Sequence, residues 1–516
     1  MKPLSGLDGA FLHLETPETP MHVGSLHLFD LPPGYRGDFH AAVKRLIARR
    51  LHLAPVFRRK LAPMLLQFAN PAWIRDDAPD MDYHVQRLTL PPPGTLAQLE
   101  DCTGRLHSEL LDRSRPLWRI YVIDGLASGQ AGYYVKVHHA VLDGQAGVLL
   151  TQTLFDLTPR PRRVPRPRGR STAAAEDPGM GELAVAAIRH DAGQYLRLIR
   201  HLPQVVRTLV GLLGTTGGAA PGALGQNFSF GPRTPLNAPI TGERSFAALS
   251  LPLDALKQLA TQHEAKLNDV VLALCSGALR RYLAHHGGIP SKPLTAAMPI
   301  SLRAAGNTEM TTQATMTLVN LQTHLKDPIK RLRAIRDAAG AAKALTGRAR
   351  GILPTDFPTI ATPWVLHGLA WLYGRLGVAG RIPPIANVVV SNVPGPPVPL
   401  YAAGMRMATY WPLSIAEHGV GLNVTVMSYA GAMGFGFTAA RRAVPDARRL
   451  SAARAEAFDE LVAASAPKMP KPPRTPRTSQ TAPAAKPAPR RRAAAKIPPP
   501  ATTAAAGAKT TKKGRT

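Results

Sequence analysis

The sequence predicts an α/β fold with mixed sheets. Strand-like and helix-like segments follow one another without the strict alternation of a purely parallel βαβ protein. The chain has 516 residues, of which 45% are apolar, so it is long enough and apolar enough for more than one buried core. Stretches rich in Pro, Arg and Gly interrupt it and divide it into two globular parts.

The domain boundaries follow from these changes in composition. A first globular domain is expected over residues 1–158, a linker over 159–240 and a second globular domain over 241–466. Within the linker, residues 195–213 interleave apolar and arginine side chains. This suits either a helix packed on its own domain or a helix lying in a membrane interface. Residues 467–516 form a basic Ala/Pro/Lys tail with almost no branched aliphatic side chains, so the tail is expected to be disordered.

Individual elements of the first domain follow from apolar spacing. Residues 22–29 and 120–123 are rich in strand-forming side chains. Residues 38–53 and 96–111 repeat their apolar positions as helices do.

The second domain also mixes both kinds of element. Residues 269–283 predict a strong helix, because their apolar side chains recur on one face. Three segments are expected to be strands, at residues 387–391, 422–427 and 433–438.

The charge balance is strongly basic. Lys and Arg total 63 against 33 Asp and Glu, which gives a net charge of +30. Because the tail alone carries 13 of the basic residues and no acid, the rest of the chain keeps +17. A basic body favours anionic partners such as nucleotides, phosphates or anionic lipid headgroups.

Cysteine content and hydropathy restrict the compartment. Only Cys102 and Cys275 are present, which excludes a disulfide framework or a Cys-rich metal module and suits a reducing cytosol. The N-terminus lacks the apolar region of a signal peptide. The longest uncharged stretch, residues 357–374, is interrupted by two prolines. We therefore expect a cytoplasmic protein whose membrane contact, if any, is peripheral.

Residues 133–144, which read YYVKVHHAVLDG, are the most informative stretch. The first five are mostly aromatic or β-branched and predict a strand. Side chains alternate along a strand, so His139 should share a buried face with Val135 and Val137, whereas His138 lies on the opposite face. Gly144 permits a tight turn or close approach of a substrate, and a helix is expected from residue 146.

An inward-facing histidine at the end of a strand can act as a general base, because its ordinary pKa of about 6.5 suits proton transfer near neutrality. The sequence contains no GxSxG nucleophile motif and no HExxH zinc motif. With a serine nucleophile and a zinc site set aside, the remaining mechanism is direct transfer of a group to an acceptor that His139 activates. The alternative is a core histidine bonded to backbone, but the complete HHxxxDG pattern is rare by chance.

The HHAVLDG segment resembles the HHxxxDG motif of the CoA-dependent acyltransferase superfamily. Further segments resemble its bacterial wax ester synthase/acyl-CoA:diacylglycerol acyltransferase branch, and they occur in order over about residues 1–460. They are LSGLD at 4–8, PMHVG at 20–24, MDYHV at 81–85, LDRSRPLW at 111–118, LNDVV at 267–271, MPISLR at 298–303, SNVPGP at 391–396 and LNVT at 422–425.

This resemblance implies two chloramphenicol-acetyltransferase-like domains with an interdomain channel. It also implies transfer of a fatty acyl group from acyl-CoA to diacylglycerol or a long-chain alcohol, without an acyl-enzyme, a metal or a cofactor. The implied catalytic residues are His139 as the base, Asp143 as a mainly structural group paired with an arginine, and His138, whose opposite face favours a structural role.

The resemblance further suggests a set of substrate-binding residues. Gly144 would lie against the acyl chain, and Asn268 with Asp269 would lie near the channel. For this pair, local chemistry alone predicts Asn268 as the N-cap of the following helix and Asp269 in its first turn. Three more residues are Pro116, Leu117 and Trp118, which are more often packing residues; the alternative for Trp118 is that it lines the interdomain wall.

Two rival functions stay open at this point. A condensation-type domain with the same motif would use thioesters on carrier proteins, although no carrier domain is fused to this chain. A non-enzymatic role through the basic tail would favour an anionic lipid surface over nucleic acid, because the tail lacks aromatic side chains for base stacking. We therefore expect acyl-CoA and a lipid acceptor as substrates, and peripheral contact with a membrane or lipid-droplet surface.

Overall fold

The computed structural model describes residues 2–3, 6–62, 72–141, 144–165, 231–301, 314–349 and 384–466. Asp143, the amphipathic segment at 195–213 and the basic tail lie outside these ranges. Contacts along the chain group Met1–Ala466 into one unit and Pro467–Thr516 into another.

The first half of the chain contains, in order, five helices and seven strands within the described ranges. They are β1 (Lys2–Pro3), α1 (Gly6–Leu14), β2 (His22–Asp30), α2 (Phe39–Arg50), β3 (Arg59–Leu61), β4 (Ala72–Arg75), α3 (Met81–His84), β5 (Val85–Thr89), α4 (Leu96–Ser108), β6 (Trp118–Asp124), β7 (Ala131–His138) and α5 (Gly144–Leu154).

The second half continues the same numbering. Its elements are β8 (Arg244–Pro252), α6 (Leu253–Gln262), α7 (Leu267–Ala284), β9 (Thr295–Ser301), β10 (Ala314–Asn320), α8 (Pro328–Ala349), β11 (Val388–Val393), β12 (Tyr401–Ala402), β13 (Met405–Met407), β14 (Trp411–Leu413), β15 (Leu422–Tyr429), β16 (Ala432–Ala440) and α9 (Ala447–Ser465).

Helix starts in the first half are set by local capping. The Asp38 side chain accepts a hydrogen bond of 2.9 Å from the Ala41 N–H at the start of α2. At α4, Thr95 and Gln98 form a reciprocal capping box. Such side chains satisfy N–H groups that have no partner within the helix, so each helix begins at a defined residue.

A seven-stranded sheet organises the first half, with strand order β12-β13-β2-β7-β6-β5 and β14 also paired to β2. β5 and β6 run parallel, whereas β2, β7 and β6 pair antiparallel. The strands β12, β13 and β14 belong to the second half of the chain, which therefore crosses over and completes the sheet of the first half.

A six-stranded sheet, in the order β10-β9-β11-β15-β16-β8, organises the second half. β11 is parallel to both of its neighbours, and the other pairs are antiparallel. A small sheet of β1, β4 and β3 lies apart from both. Both large sheets are mixed, which confirms the predicted fold class.

The crossover strand β14 contacts the second sheet at two glycines. A side-chain carbon added to Gly434 would lie 2.1 Å from the carbonyl oxygen of Tyr410, and one added to Gly436 would lie 1.7 Å from that of Pro412. Only glycine permits this close approach of two backbones. The GFGF pattern also directs Phe435 and Phe437 into the core of the second half.

Helix α4 covers the open edge of β8. The Glu100 carboxyl accepts a hydrogen bond of 2.9 Å from the Ala248 N–H, and the Ser108 hydroxyl accepts one of 2.8 Å from the Arg244 N–H. These contacts satisfy edge N–H groups that would otherwise lack a partner inside the protein. The two halves are thereby joined along a helix and a strand edge.

The predicted elements are found with small shifts of boundary. The helix expected at 38–53 ends at Arg50 and continues as a 3₁₀ turn at Leu51–Leu53, and the helix expected at 96–111 ends at Ser108. Every strand proposed from the sequence is present, most of them longer than expected. In the parts of the chain that the structure describes, no helix is both long and apolar enough to cross a bilayer.

Candidate active site

His139 lies immediately after strand β7, at the first residue of a 3₁₀ turn that spans His139–Val141. Its backbone N–H donates a hydrogen bond of 2.9 Å to the carbonyl oxygen of Met21, which continues the β2–β7 pairing by one residue. Its ring stacks on Phe11 of α1 with centroids 3.9 Å apart. The backbone of His139 is therefore fixed by β2, and one face of its imidazole is covered by Phe11.

The environment of His139 keeps the imidazole neutral. The side chain is half-buried, and this burial, with a smaller contribution from His138, lowers its pKa to about 4. Its Nδ1 atom is buried and has no hydrogen-bond partner among the described residues. A neutral imidazole with an unprotonated nitrogen can accept a proton, which is the property that a general base needs.

His138 lies on the other side of the strand end, as the alternation of side chains predicted, and it is fully buried. Its Nδ1 accepts a hydrogen bond of 3.1 Å from the Ala140 N–H, so its proton lies on Nε2. Nε2 is 3.2 Å from Oε2 of Glu15. The two atoms are in close contact without forming a hydrogen bond.

Glu15 is the charged centre of this part of the site. Its Oε2 also lies 3.3 Å from Nε2 of His22 and accepts a hydrogen bond of 3.2 Å from the Met21 N–H. Its Oε1 pairs with Arg113 at 3.0 Å. Burial raises the pKa of the Glu15 carboxyl, but the neighbouring His138 and His22 outweigh it and hold this pKa far below its usual range. Glu15 is therefore an ionised, buried carboxylate.

Sequence reasoning did not identify Glu15. It lies 123 positions before His138, directly after the apolar helix α1 and between the first two segments that carry the family resemblance. The available signal was an acid at the end of an apolar helix, just before the PMHVG segment. That signal is weak, because acids at helix ends are common on protein surfaces.

The Pro116-Leu117-Trp118 segment holds the strand end from the β6 side. The Leu117 carbonyl oxygen accepts a hydrogen bond of 3.0 Å from the His138 N–H. Trp118 donates from Nε1 to the Phe57 carbonyl oxygen at 2.9 Å and stacks on His84. Trp118 is only 2% exposed and lies in a buried apolar core, which is the packing role and not the alternative of a residue that lines an open wall.

The Asn268-Asp269 pair differs from its expected local geometry. Helix α7 begins at Leu267, so Lys266 and not Asn268 is the N-cap residue. Asp269 lies in the first turn, as expected, and accepts a hydrogen bond of 2.8 Å from the Lys266 N–H. Asn268 is freed from capping, and its Oδ1 accepts a hydrogen bond of 3.3 Å from Asn392. Two separate family-like segments, LNDVV and SNVPGP, therefore meet.

The remaining residues of the motif to be placed are Gly144 and Asp143. Gly144 is the first residue of α5, so the helix begins two residues earlier than the sequence predicted. Asp143 lies outside the described residues, and its arginine partner stays a prediction. Within the described ranges, no group of three or more His, Cys, Asp or Glu side chains could hold a metal ion.

Comparison with known families and structures gives concordant results. The family model of the wax ester synthase/diacylglycerol acyltransferase catalytic domain matches residues 4–271, and that of the WS/DGAT C-terminal domain matches residues 311–462. A putative diacylglycerol O-acyltransferase of Mycobacterium tuberculosis is 36% identical over 461 residues, which cover 87% of this chain and 96% of the relative. One of Mycobacterium bovis is 36% identical over 473 residues, covering 90% and 91%.

Solved structures agree on the fold. The wax ester synthase/diacylglycerol acyltransferase of Marinobacter aquaeolei VT8 superposes with a TM-score of 0.65 at 28% identity, covering 90% of this chain and all of that one. A condensation domain of the calcium-dependent antibiotic synthetase gives a TM-score of 0.50 at 17% identity, covering 90% and 96%, and shows a shared fold only. The resemblance drawn from the sequence is confirmed, and the chain belongs to the wax ester synthase/diacylglycerol acyltransferase family.

Proposed function

We propose that the chain is an O-acyltransferase that moves a fatty acyl group from acyl-CoA to the hydroxyl of diacylglycerol or of a long-chain alcohol. The single observation that carries this proposal is the neutral imidazole of His139, anchored by Met21 and Phe11 at the end of β7. Membership of the family supports the choice of substrates.

The reaction needs only one proton carrier. His139 takes the proton of the acceptor hydroxyl while the oxygen attacks the thioester carbonyl carbon. The tetrahedral intermediate collapses, the C–S bond breaks, and the imidazolium returns the proton to the CoA thiolate. The products are an ester and free CoA, and the protein ends in its starting state. Proton transfer by a positioned base typically contributes about 10²–10⁴-fold to the rate.

Neighbouring residues are assigned supporting roles. His138 and Glu15 position the strand end, because His138 precedes the base and is held by the buried carboxylate. Asp143 is proposed to fix the loop that follows, and Gly144 to lie against the acyl chain. Pro116 and Leu117 support the same strand end from the β6 side. Asn268 and Asp269 are proposed to lie near the substrate channel, on the side of the second half. Acyl-CoA is the donor substrate, and no cofactor is required.

We also propose peripheral contact with an anionic lipid surface, where both lipid substrates and products would partition. The basic segment at 195–213 and the 13 basic residues of the tail support this, at about 1 kcal/mol per charge near such a surface. Deletion of residues 468–516 should weaken binding to anionic liposomes in a salt-dependent way. Binding that is unchanged by the deletion would contradict the role of the tail.

The test of function is a transfer assay with purified protein and labelled acyl-CoA, offered diacylglycerol or hexadecanol. The wild type should form neutral lipid, and His139→Ala should lose nearly all of this activity. His285→Ala is the matched control, since His285 is exposed at the far end of α7. A His139→Ala variant as active as the wild type would remove the proposed base. Turnover of free acyl-CoA would also exclude an absolute need for a carrier-protein thioester.

A further inference from the structure

A second polar cluster lies on the same face of the first sheet as His139. It consists of Ser25 and His27 of β2, Thr151 of α5 and Tyr410, which directly precedes β14. Ser25 pairs with Val135 and His27 pairs with Tyr133, so both side chains lie on the face that Val135 and Val137 share. The rest of that face belongs to an apolar core that also contains Leu154 and Phe155, and the Phe155 ring contacts Tyr133 of β7.

Hydrogen bonds join Ser25 to His27, and join His27 and Thr151 to the backbone. His27 donates from Nδ1 to the Thr409 carbonyl oxygen at 3.3 Å, because a carbonyl can only accept. Its Nε2 therefore accepts the Ser25 hydroxyl proton at 2.7 Å. Thr151 donates its proton to the Gly147 carbonyl oxygen at 3.0 Å. The Tyr410 hydroxyl faces the hydroxyl groups of Ser25 and Thr151.

Partly exposed side chains are found both at His139 and within this cluster, at Thr151 and Tyr410. His139 and Val23 are partly exposed, although Val23 lies on an internal strand of the sheet. The next side chain on the same face, Ser25, is 9% exposed, and His27 is 0% exposed. Partly exposed Thr151 and Tyr410 beside buried Ser25 and His27 are expected of a pocket that opens at His139 and ends at this cluster. From Met21 to Ser25 the strand advances about 14 Å.

We propose that Ser25, His27, Thr151 and Tyr410 close the inner end of a pocket that takes the aliphatic chain of one substrate and limits its length. The inference rests on the proposed function, which supplies the chain-bearing substrates. A linear chain entering at His139 would lie over Val23, on an otherwise apolar face. The donor's acyl chain and the acceptor's alcohol chain are both linear and aliphatic, so either of them fits this description.

The cluster is suited to act as an end wall because none of its side chains can move aside without losing a packing contact or a hydrogen bond. The Tyr410 ring packs edge-on against His27 with centroids 4.4 Å apart. A further methylene would have to displace this ring and disturb the hydrogen bonds of the Ser25 and Thr151 hydroxyl groups. Buried polar groups that lose a partner are costly, so chains beyond the limit are rejected.

The test compares chain-length profiles of kcat/KM in two arms. One arm varies the acyl-CoA from medium to very long chains with hexadecanol as acceptor, and the other varies the alcohol with one acyl-CoA. Tyr410→Ala, which removes the wall, should raise the rate for chains longer than the wild-type optimum by about tenfold relative to that optimum, in one arm only. Val23→Phe, which fills the pocket midway, should shift the same arm towards shorter chains.

Tyr401→Ala is the matched control, because Tyr401 lies on the same crossover segment in β12 and should change neither profile. The pocket proposal would be overturned by either of two results. Tyr410→Ala and Val23→Phe could leave the profiles of both arms unchanged, or they could shift both arms equally. If Tyr410→Ala does not fold, the opposite shift expected of Val23→Phe decides the matter alone. A wild type that forms no ester in either arm would instead contradict the proposed function, so the two failures are distinguishable.

Discussion

Oε2 of Glu15 lies 3.2 Å from Nε2 of His138, the residue immediately before the proposed base. The same oxygen accepts the N–H of Met21, whose carbonyl oxygen in turn accepts the N–H of His139. One buried carboxylate thus holds the strand end through two routes, a side chain and a backbone.

The first prediction concerns this carboxylate. Glu15→Gln keeps the shape of the side chain but removes the charge that faces His138, His22 and Arg113. We expect kcat to fall by about tenfold, equivalent to ~1.4 kcal/mol, with little change in KM for either substrate. Steady-state kinetics with both substrates varied measures this. Glu18→Gln, at an exposed carboxylate in the same loop, should behave as the wild type. A Glu15→Gln variant with an unaltered kcat would show that the charge is irrelevant to the base.

The second prediction is the pH dependence of turnover. Burial lowers the pKa of His139 to about 4, so its unprotonated form predominates at every pH well above that value. The profile of kcat/KM should therefore be flat through neutral pH and should fall only in the acid range, with an acid limb near pH 4. An acid limb centred near the ordinary histidine value of 6.5 would contradict the buried environment of this imidazole.

The third prediction concerns stability in acid. Burial lowers the pKa of His27 to about 3 and that of His22 to about 4, both from 6.5. The folded state therefore binds fewer protons than the unfolded state. The stability that these neutral histidines contribute is present above pH 6.5 and is lost as the pH falls towards 4. We expect Tm to decrease over this window. His27→Gln should flatten the decrease, and an identical slope in this variant would exclude His27 as a cause.

The fourth prediction has the opposite sign. Burial raises the pKa of Glu100, which joins α4 to β8, to about 7. Its contribution to stability is therefore complete below the unfolded value of 4.5 and is lost as the pH rises through about 7. Glu100→Gln still accepts the Ala248 N–H but cannot ionise. Chemical denaturation at alkaline pH should show it more stable than the wild type by roughly 2–3 kcal/mol, with little difference in mild acid. Equal stability at alkaline pH would mean that Glu100 ionises freely in the folded protein.

The fifth prediction tests the crossover. Gly436→Ala places a carbon against the Pro412 carbonyl oxygen, and this backbone cannot move without separating β14 from the second sheet. We expect a loss of at least about 3 kcal/mol in the free energy of unfolding. Gly340→Ala is the same substitution in α8 at a site with no atom within 4 Å, and it should stabilise the protein by about 0.5–1 kcal/mol. Equal effects of the two substitutions would contradict the close approach of the two backbones.

Much of the local structure was predictable because it depends on near neighbours in sequence. Asp38 and Thr95 begin their helices through side chains that bond to residues three positions away. The alternation of β7 placed His138 and His139 on different sides of the strand end. Asn268 was assigned wrongly for a related reason: the preferred capping residue was present, but the helix begins one residue after Lys266, where Asp269 reaches back to the backbone.

Family membership, the mixed α/β class and the candidate base could be determined from the sequence alone, since a motif and its strand are contiguous in the chain. The partners of that base could not. Glu15 reaches His138 across 123 positions, and Tyr410 reaches Ser25 and Thr151 from the opposite half of the chain. Only the tertiary structure decides such pairs, because a buried charge or hydroxyl group selects its partner by the three-dimensional packing of strands, and spacing along the sequence does not encode that packing.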